Sequence, residues 1–208
     1  MLKIYGRANG FNVRKVLWLC EELSITYDRE DWGRGYKPTS EPEFQKINPI
    51  GRVPVIDDNG FILRESHSIL RYLAAKTRAE EYYPSDLKAR ARVDQWLDWA
   101  GSDPQVGMRG VFIGGFIKEE PWNNPWFVKA GEAEYTRLMT LLDAHFAASD
   151  NRHIAGSTFT IGDIPVGLIV HRWLSLDLER PSLPALEAYY ETLSERPAYL
   201  KFGRNGTP

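Results

Sequence analysis

The sequence predicts an α/β domain at the N-terminus followed by an all-helical domain. Three observations support this fold class: a strand–helix–strand pattern near the start, a hairpin followed by a helix before residue 78, and helical periodicity alone from Asp86 onward. Residues 77–86 break the periodicity with proline and charge, so we expect a linker there. The predicted domains are therefore residues 1–78 and 87–208.

The first three predicted elements form a βαβ unit. Leu2–Tyr5 alternates as a strand does, and the glycine-punctuated residues 6–10 form a turn. A helix follows, and Ile25–Glu30 is predicted to be the second strand, parallel to the first. The apolar positions of that helix fall on one face at the three-and-four spacing: Val13, Val16, Leu17, Cys20 and Leu23.

A β-hairpin and a helix complete the predicted N-terminal domain. Val53–Ile56 and Phe61–Leu63 flank a turn whose Asn59-Gly60 pair is a strong hairpin signal. A helix is expected over residues 65–76. The connection over residues 36–48 is expected to be irregular, with one helical turn near Phe44.

The second domain is predicted to contain helices over residues 87–117, 125–149, 162–176 and 183–195. Pro104 and the glycines at 107, 110, 114 and 115 predict that the first is bent or broken. Thr160 and Asp163 have the spacing of a capping box, flanked by Phe159 and Ile164 as a hydrophobic staple. We expect this segment to serve folding.

Composition restricts the possible partners and location. The chain has 26 basic and 28 acidic residues, a formal charge of −2, so no strong field recruits nucleic acid or anionic lipid. The N-terminus lacks the apolar run of a signal peptide, and no stretch is long enough to span a membrane. We therefore expect a cytoplasmic protein. The single cysteine, Cys20, fits a reducing compartment and is interpreted as a buried small hydrophobe.

Two segments have the chemistry of a peptide-binding site. Pro54 cannot donate a ladder hydrogen bond, so Val53 is expected at an edge, where its backbone can pair with an extended peptide. The alternative is that Pro54 only protects an edge from aggregation. Ser66 opens a helix whose free N–H groups attract a carboxylate, and Glu65 beside it can bind an ammonium group, although Ser66 is equally explained as a simple cap.

Together these motifs resemble the cytosolic glutathione transferases. The resemblance is carried by residues 48–56, the Asp58-Asn59-Gly60 hairpin and residues 65–73, and the helical part adds residues 156–164. It spans nearly the whole chain, and the active-site turn resembles that of the bacterial-type, theta- or nu-like members of the family.

The resemblance implies a thioredoxin-like N-terminal domain with Pro54 in the cis form. Val53 would present its backbone to the cysteinyl part of glutathione, and Glu65 and Ser66 would hold the γ-glutamyl end. Candidates for binding the glycine carboxylate are Arg52, Lys37 and Gln45 or Lys46, each equally explained as solvated surface. The family also implies a homodimer, in which Asp103 is a candidate to reach the neighbour's glutathione. The sequence has neither metal-ligand spacing nor a phosphate-binding glycine loop, so we expect no metal or further cofactor.

The residue that activates the thiol is left open between several candidates. A free thiol has a pKa near ~8.5, so the protein must stabilise the thiolate. The family's serine position corresponds to Gly10, which has no hydroxyl, and Tyr5 lies inside the strand. Asn12 is the first candidate to donate an amide N–H to sulfur, Asn9 is the second, and Asn12 is equally expected as a helix cap.

An acceptor pocket is expected between the domains, since ligand pockets often lie there. Its candidate apolar walls are Phe11, Met108, Phe112 and Phe116, of which the last three also have the spacing of a packed helix face. The leading hypothesis is conjugation of the glutathione thiolate to a small electrophile. The alternatives are glutathione-dependent disulfide or peroxide reduction and a non-catalytic binding module.

Overall fold

A four-stranded mixed sheet forms the N-terminal part of the computed structural model, which describes residues 1–206. The strands are β1 (Leu2–Tyr5), β2 (Tyr27–Glu30), β3 (Val55–Asp58) and β4 (Phe61–Arg64), in the order β2-β1-β3-β4. β1 pairs with β2 in parallel, and β3 is antiparallel to both β1 and β4. This confirms the predicted βαβ unit and hairpin; residues 207–208 of the predicted second domain lie outside the described residues.

Two strands begin later than the sequence predicts. β2 begins at Tyr27 instead of Ile25, and β3 begins at Val55 instead of Val53. Val55 is paired with Tyr5, the last residue of β1, and Pro54 before it has no N–H to donate to the sheet. Val53 therefore stands outside the ladder, next to the cis Val53–Pro54 bond that the resemblance implied.

Three helices accompany this sheet: α1 (Phe11–Glu22), α2 (Pro42–Ile47) and α3 (Ser66–Lys76). α1 is buried along most of its length, which agrees with its predicted apolar face. α2 is longer than the single helical turn predicted near Phe44, and Phe44 packs beneath Trp32 with ring centres 5.1 Å apart. In the hairpin turn Asn59 and Gly60 both adopt positive φ, 54° and 93°, as the Asn-Gly pair predicts.

The remainder of the described chain is helical. The predicted helix over 87–117 is broken into α4 (Leu87–Ser102), α5 (Pro104–Met108) and a π-helical segment, Arg109–Phe116. α6 (Pro125–Ala147), α7 (Asp163–Ser175) and α8 (Pro184–Ser194) follow close to their predicted bounds. The sequence analysis missed α9 (Pro197–Phe202). Among the described residues no helix is both long and apolar enough to cross a membrane.

The glycines of the broken helix allow close packing against α6. A Cβ on Gly110 would lie 2.8 Å from the Cα of Gly131, and one on Gly107 would lie 3.1 Å from the backbone of Tyr135. The glycine series that predicted a break thus also permits backbone-to-backbone contact between the two segments.

α1 is tied to the C-terminal helices by buried contacts. Arg14 Nε donates to the carbonyl of Phe202 at 2.6 Å, and Arg196 forms an ion pair with Glu22 at 2.6 Å. The Trp18 ring lies 4.8 Å from that of Tyr199. α1 is therefore held in a fixed position relative to α9.

The segment before α7 differs in part from the predicted capping box. The carboxylate of Asp163 reaches back to accept from the Thr160 N–H at 2.8 Å, as expected. The Thr160 hydroxyl, however, donates to that same carboxylate instead of capping the helix, because the helix begins at Asp163 itself with Gly162 as N-cap. Asp163 also accepts from the Ile154 N–H at 2.8 Å.

Candidate active site

A crevice beside Val53 brings together most of the predicted glutathione-binding residues. Val53 was expected at a sheet edge, but it precedes β3, which lies between β1 and β4. Val53 and Pro54 form one side, and Glu65 and Ser66 at the start of α3 form another. No hydrogen bond among the described residues uses the backbone N–H or C=O of Val53. The crevice is lined by Asn12, Asn48, Arg52, Val53, Pro54, Arg64, Glu65 and Ser66.

The start of α3 provides hydrogen-bond donors to this crevice. Ser66 is buried in the first turn, and the N-cap residue is Glu65, so Ser66 is not the cap. The helix's first backbone bond runs from the Ile69 N–H to the Glu65 carbonyl at 2.9 Å, which leaves the N–H groups before Ile69 without a helical partner.

Glu65 has an unusual backbone conformation. Its φ is +69°, in the region that favours glycine, and the strain of a non-glycine residue there is about 1–3 kcal/mol. Such strain concentrates at ligand-binding sites, and here it places an exposed carboxylate beside the free N–H groups of α3. The pair can hold an ammonium and a carboxylate together.

The turn before Pro54 is held by Asn48, to which the sequence analysis gave no role. Asn48 is buried, its Nδ2 donates to the carbonyl of Arg52 at 2.7 Å, and its Oδ1 accepts from the Ile50 N–H at 3.2 Å. These bonds fix the approach of the chain to Val53. The Asn48-Pro49 motif was part of the family resemblance, and this motif was the signal in the sequence that could have indicated a positioning role for Asn48.

The four candidates for binding the glycine carboxylate lie at different distances from the crevice. Arg52 is exposed at the crevice. Lys37 lies outside the crevice lining with its Nζ 5.0 Å from the Trp32 ring centre, and Gln45 donates to the carbonyl of Thr39 at 2.7 Å. Lys46 is exposed on α2. The structure therefore brings only Arg52 of these four together with Val53 and Ser66.

The first turn of α1 separates this crevice from a second cavity. Gly10 is the N-cap of α1, so the alternative that Asn12 caps the helix is wrong. Asn12 is exposed, and it lines both the crevice and a larger cleft of about 380 Å³. Asn9 lines the cleft, where its Oδ1 accepts from Arg7 at 3.4 Å.

Three other residues of β1 and α1 or the turn between them are unsuitable for activating the thiol. Tyr5 packs against the small cluster around Trp32 and lines neither cavity. Cys20 is buried, and burial raises the pKa of its thiol to about 12, as expected for a structural residue. A Cβ on Gly10 would lie 3.1 Å from Val13 and 3.2 Å from the carbonyl of Arg7, so this turn is also tight for a serine.

The cleft contains the predicted acceptor residues Phe11, Met108 and Phe112. Phe116 is 59% exposed and stacks on Phe112 with ring centres 5.6 Å apart, but it does not line the cleft. Asp103, predicted to reach a neighbour, is exposed between α4 and α5 and accepts from the Ser102 hydroxyl. The cleft lining also includes residues that the sequence analysis missed: Arg7, Arg34, Gln105, Arg109, Ile113, Ile117 and Arg172.

Buried Lys15 and partly buried His67 lie behind the first turn of α1. Lys15 Nζ is 2.9 Å from His67 Nε2 and 5.1 Å from the Phe11 ring centre. Burial first, and then the charge of Arg172, lowers the pKa of Lys15 to about 7, against the opposing effect of Glu65. Burial and the Lys15 charge lower the pKa of His67 to about 2.

Comparison with known proteins places this geometry in a family context. The sequence-family model of the glutathione S-transferase N-terminal domain matches residues 1–75 of this chain. The chain is 32% identical over 203 residues to glutathione S-transferase GstB of Escherichia coli strain K12, covering 97% of both chains. It is also 29% identical to the disulfide-bond oxidoreductase YfcG of the same organism, over 90% of this chain and 87% of that one.

A solved structure agrees over nearly the whole chain. The theta class glutathione S-transferase from the citrus canker pathogen Xanthomonas axonopodis pv. citri, with glutathione bound, superposes with a TM-score of 0.89 at 35% identity. The match covers 97% of this chain and 96% of that one. Among the described residues of our chain no group of side chains is arranged to hold a metal ion.

Proposed function

Because the chain belongs to the cytosolic glutathione S-transferase family, we propose that it conjugates the glutathione thiolate to a small electrophile held in the cleft at Phe11. The observation that carries this proposal is the position of Asn12, which lines both the crevice at Val53 and the cleft. A tripeptide in the crevice would have its sulfur at this boundary, facing a second substrate.

The crevice suits the three parts of glutathione. The γ-glutamyl carboxylate is assigned to the first-turn N–H groups of α3 and the Ser66 hydroxyl, and its ammonium to Glu65. The cysteinyl backbone pairs antiparallel with Val53, whose N–H and C=O lack partners among the described residues. Arg52 is assigned to the glycine carboxylate, with Lys37 remaining a more distant candidate.

Asn12 is assigned to the thiolate. Lowering a thiol pKa by two units requires about 2.7 kcal/mol, whereas a helix N-terminus supplies ~0.3–1 kcal/mol and at most ~2. A hydrogen bond to a charged group adds about 1.5–3 kcal/mol, so the amide of Asn12 and the α1 dipole together reach the required value. The thiolate then attacks the electrophilic carbon, a C–S bond forms, and the leaving group departs with its electron pair.

Disulfide reduction is a second candidate, favoured by the similarity to YfcG. The discriminating assay compares turnover of a haloarene with turnover of a mixed disulfide under the same glutathione concentration. Faster conjugation supports the first proposal, and turnover of the disulfide alone supports the second. A protein that binds glutathione but turns over neither substrate would be a binding module.

The binding mode is tested with Ser66→Ala, and Ser68→Ala is the matched control because Ser68 is exposed on the same helix turn. We expect Ser66→Ala to raise the Kd for glutathione about tenfold, corresponding to ~1.4 kcal/mol, in isothermal titration calorimetry. Ser68→Ala should leave the Kd unchanged. Equal affinities for both variants and the parent would contradict the assigned position of the γ-glutamyl group.

We also propose that the protein acts as a homodimer in the cytoplasm, as the family resemblance implies. Sedimentation equilibrium tests the first part. A mass near twice 23.8 kDa is expected, and a mass near 23.8 kDa, that of a monomer, would contradict the dimer.

A further inference from the structure

The cleft beside Asn12 has an unusual charge for the pocket of a weakly acidic protein. The whole chain carries a formal charge of −2, yet four arginines and no aspartate or glutamate occur among the described residues lining this cleft. They come from distant parts of the chain, namely the turn before α1, the loop after β2, the π-helical segment and α7: Arg7, Arg34, Arg109 and Arg172. The fold therefore concentrates positive charge where the second substrate is expected.

Arg172 lies between two aromatic walls of the cleft. Its guanidinium carbon is 4.0 Å from the ring centre of Phe11 and 3.8 Å from that of Phe112. The residue is only 6% exposed, and burial lowers its pKa to about 10. Its guanidinium therefore forms part of the cleft wall between the two rings.

The other three arginines line the cleft and are more exposed to solvent than Arg172. Arg7 is half-buried and bonds to the neutral side chain of Asn9, and burial first and the charge of Arg34 second lower its pKa. Arg34 pairs with Glu119, which lies outside the lining. Arg109 is exposed, with its guanidinium carbon 5.4 Å from the Trp122 ring centre.

We propose that the preferred electrophile is an aromatic molecule carrying a carboxylate. Its ring lies against Phe11, Met108 and Phe112, and its carboxylate binds the guanidinium groups of Arg7 and Arg109 at the rim. A cleft of about 380 Å³ is large enough for a single substituted ring. This inference rests on the proposed function and specifies the class of substrate for that same site.

Physical chemistry favours an anion here for two reasons. Guanidinium groups bind carboxylates through paired N–H donors, and these charge-assisted bonds are about twice as strong as neutral ones. A cleft lined by one sign of charge also raises the local concentration of a counter-ion, an effect that salt weakens. A neutral electrophile of the same shape gains neither benefit.

The test compares two electrophiles that differ in charge but share one reactive centre, 4-(bromomethyl)benzoate and its methyl ester. In both, the thiolate forms a C–S bond at the benzylic carbon and bromide leaves with the electron pair of the broken C–Br bond. The thiol proton passes to the buffer. Each kcat/KM is divided by the uncatalysed second-order rate with glutathione, which removes the difference in intrinsic reactivity.

We expect the parent enzyme to favour the carboxylate by about tenfold or more, corresponding to ~1.4 kcal/mol. The preference should shrink as KCl is raised from about 0.02 to about 0.5 M. The double variant Arg7→Gln, Arg109→Gln should reduce the preference at least fivefold through the KM of the carboxylate. Arg137→Gln is the matched control, because Arg137 is an exposed arginine of α6 outside the cleft.

Each contrary outcome has a distinct meaning. Turnover of the ester with no preference for the carboxylate overturns this inference and leaves the proposed function standing. Turnover of neither compound counts against the proposed function itself. A preference that survives in the double variant overturns the assignment to Arg7 and Arg109, and a rise in the KM for glutathione alone would show that these arginines serve the tripeptide.

Discussion

Replacing Asp163 by alanine should cost this protein a large part of its stability. The side chain is fully buried, and its carboxylate accepts from two backbone N–H groups, those of Ile154 and Thr160, each at 2.8 Å. The hydroxyls of Thr160 and Tyr189 also donate to it, at 3.2 and 3.1 Å. Alanine removes every one of these acceptors at once.

The magnitude follows from the donors left behind. A buried donor without a partner costs about 1–3 kcal/mol, and two backbone N–H groups lose theirs, so we expect a loss of about 3–5 kcal/mol. For a chain of this length, each kcal/mol lowers Tm by about 2–4 °C. The Tm of Asp163→Ala should therefore fall by about 6–20 °C.

Urea unfolding followed by tryptophan fluorescence measures this loss, with circular dichroism to check that both probes give one transition. Asp163→Asn should lose less than the alanine variant, because its amide oxygen still accepts one bond. Asp177→Asn, at an exposed position, should stay within about 0.5 kcal/mol of the parent. A loss below about 1 kcal/mol for Asp163→Ala would refute the reasoning.

Two further changes test the buried base and the helix contact. The pKa of Lys15 is lowered from 10.5 to about 7 in the folded protein. Between these two pH values Lys15 is protonated in the unfolded chain but not in the folded one, so the free energy of unfolding should rise with pH in this range. We expect a gain of about 2 kcal/mol from pH 7 to pH 9 in urea unfolding, absent in Lys15→Met and retained in the exposed-site control Lys88→Met. Gly110→Ala should cost about 1–3 kcal/mol in the same assay, because its Cβ would lie 2.8 Å from the backbone of Gly131. Gly115→Ala, whose Cβ would meet only a Val128 methyl at 3.4 Å and the Gly110 carbonyl at 3.8 Å, should be close to neutral.

Contrary results for these two are easily recognised. Equal pH profiles for Lys15→Met and the parent would mean that Lys15 keeps its ordinary pKa in the folded protein. Equal losses for Gly110→Ala and Gly115→Ala would mean that the contact with Gly131 relaxes without cost.

The elements that the sequence predicts well are those with local signals. The Asn59-Gly60 turn, the apolar face of α1 and the break at Pro104 each depend on residues within a few positions of one another. α9 was missed because it has only six residues, and its contact with Arg14 joins positions 188 residues apart. No local pattern carries that information.

The candidate site shows the same division. Val53, Glu65 and Ser66 stand in two short motifs, and the structure brings them to one crevice. The charge of the cleft was not predictable, because its arginines are separated by most of the chain and each alone has the pattern of a solvated or helix-facing residue. The N-cap of α7 differs for another reason: the helix begins at Asp163 with Gly162 as its N-cap, so the Thr160 hydroxyl donates to the buried Asp163 carboxylate instead.

The pKa of the thiol in bound glutathione tests the central claim most directly. It is measured by titrating thiolate absorbance with the parent protein, Asn12→Ala and Asn9→Ala, each saturated with the tripeptide. We expect a thiol pKa about two units below ~8.5 for the parent, a rise of about one unit in Asn12→Ala, and no rise in Asn9→Ala. A thiol that titrates near ~8.5 on the parent, or a thiol pKa in Asn12→Ala equal to that of the parent, would contradict the account.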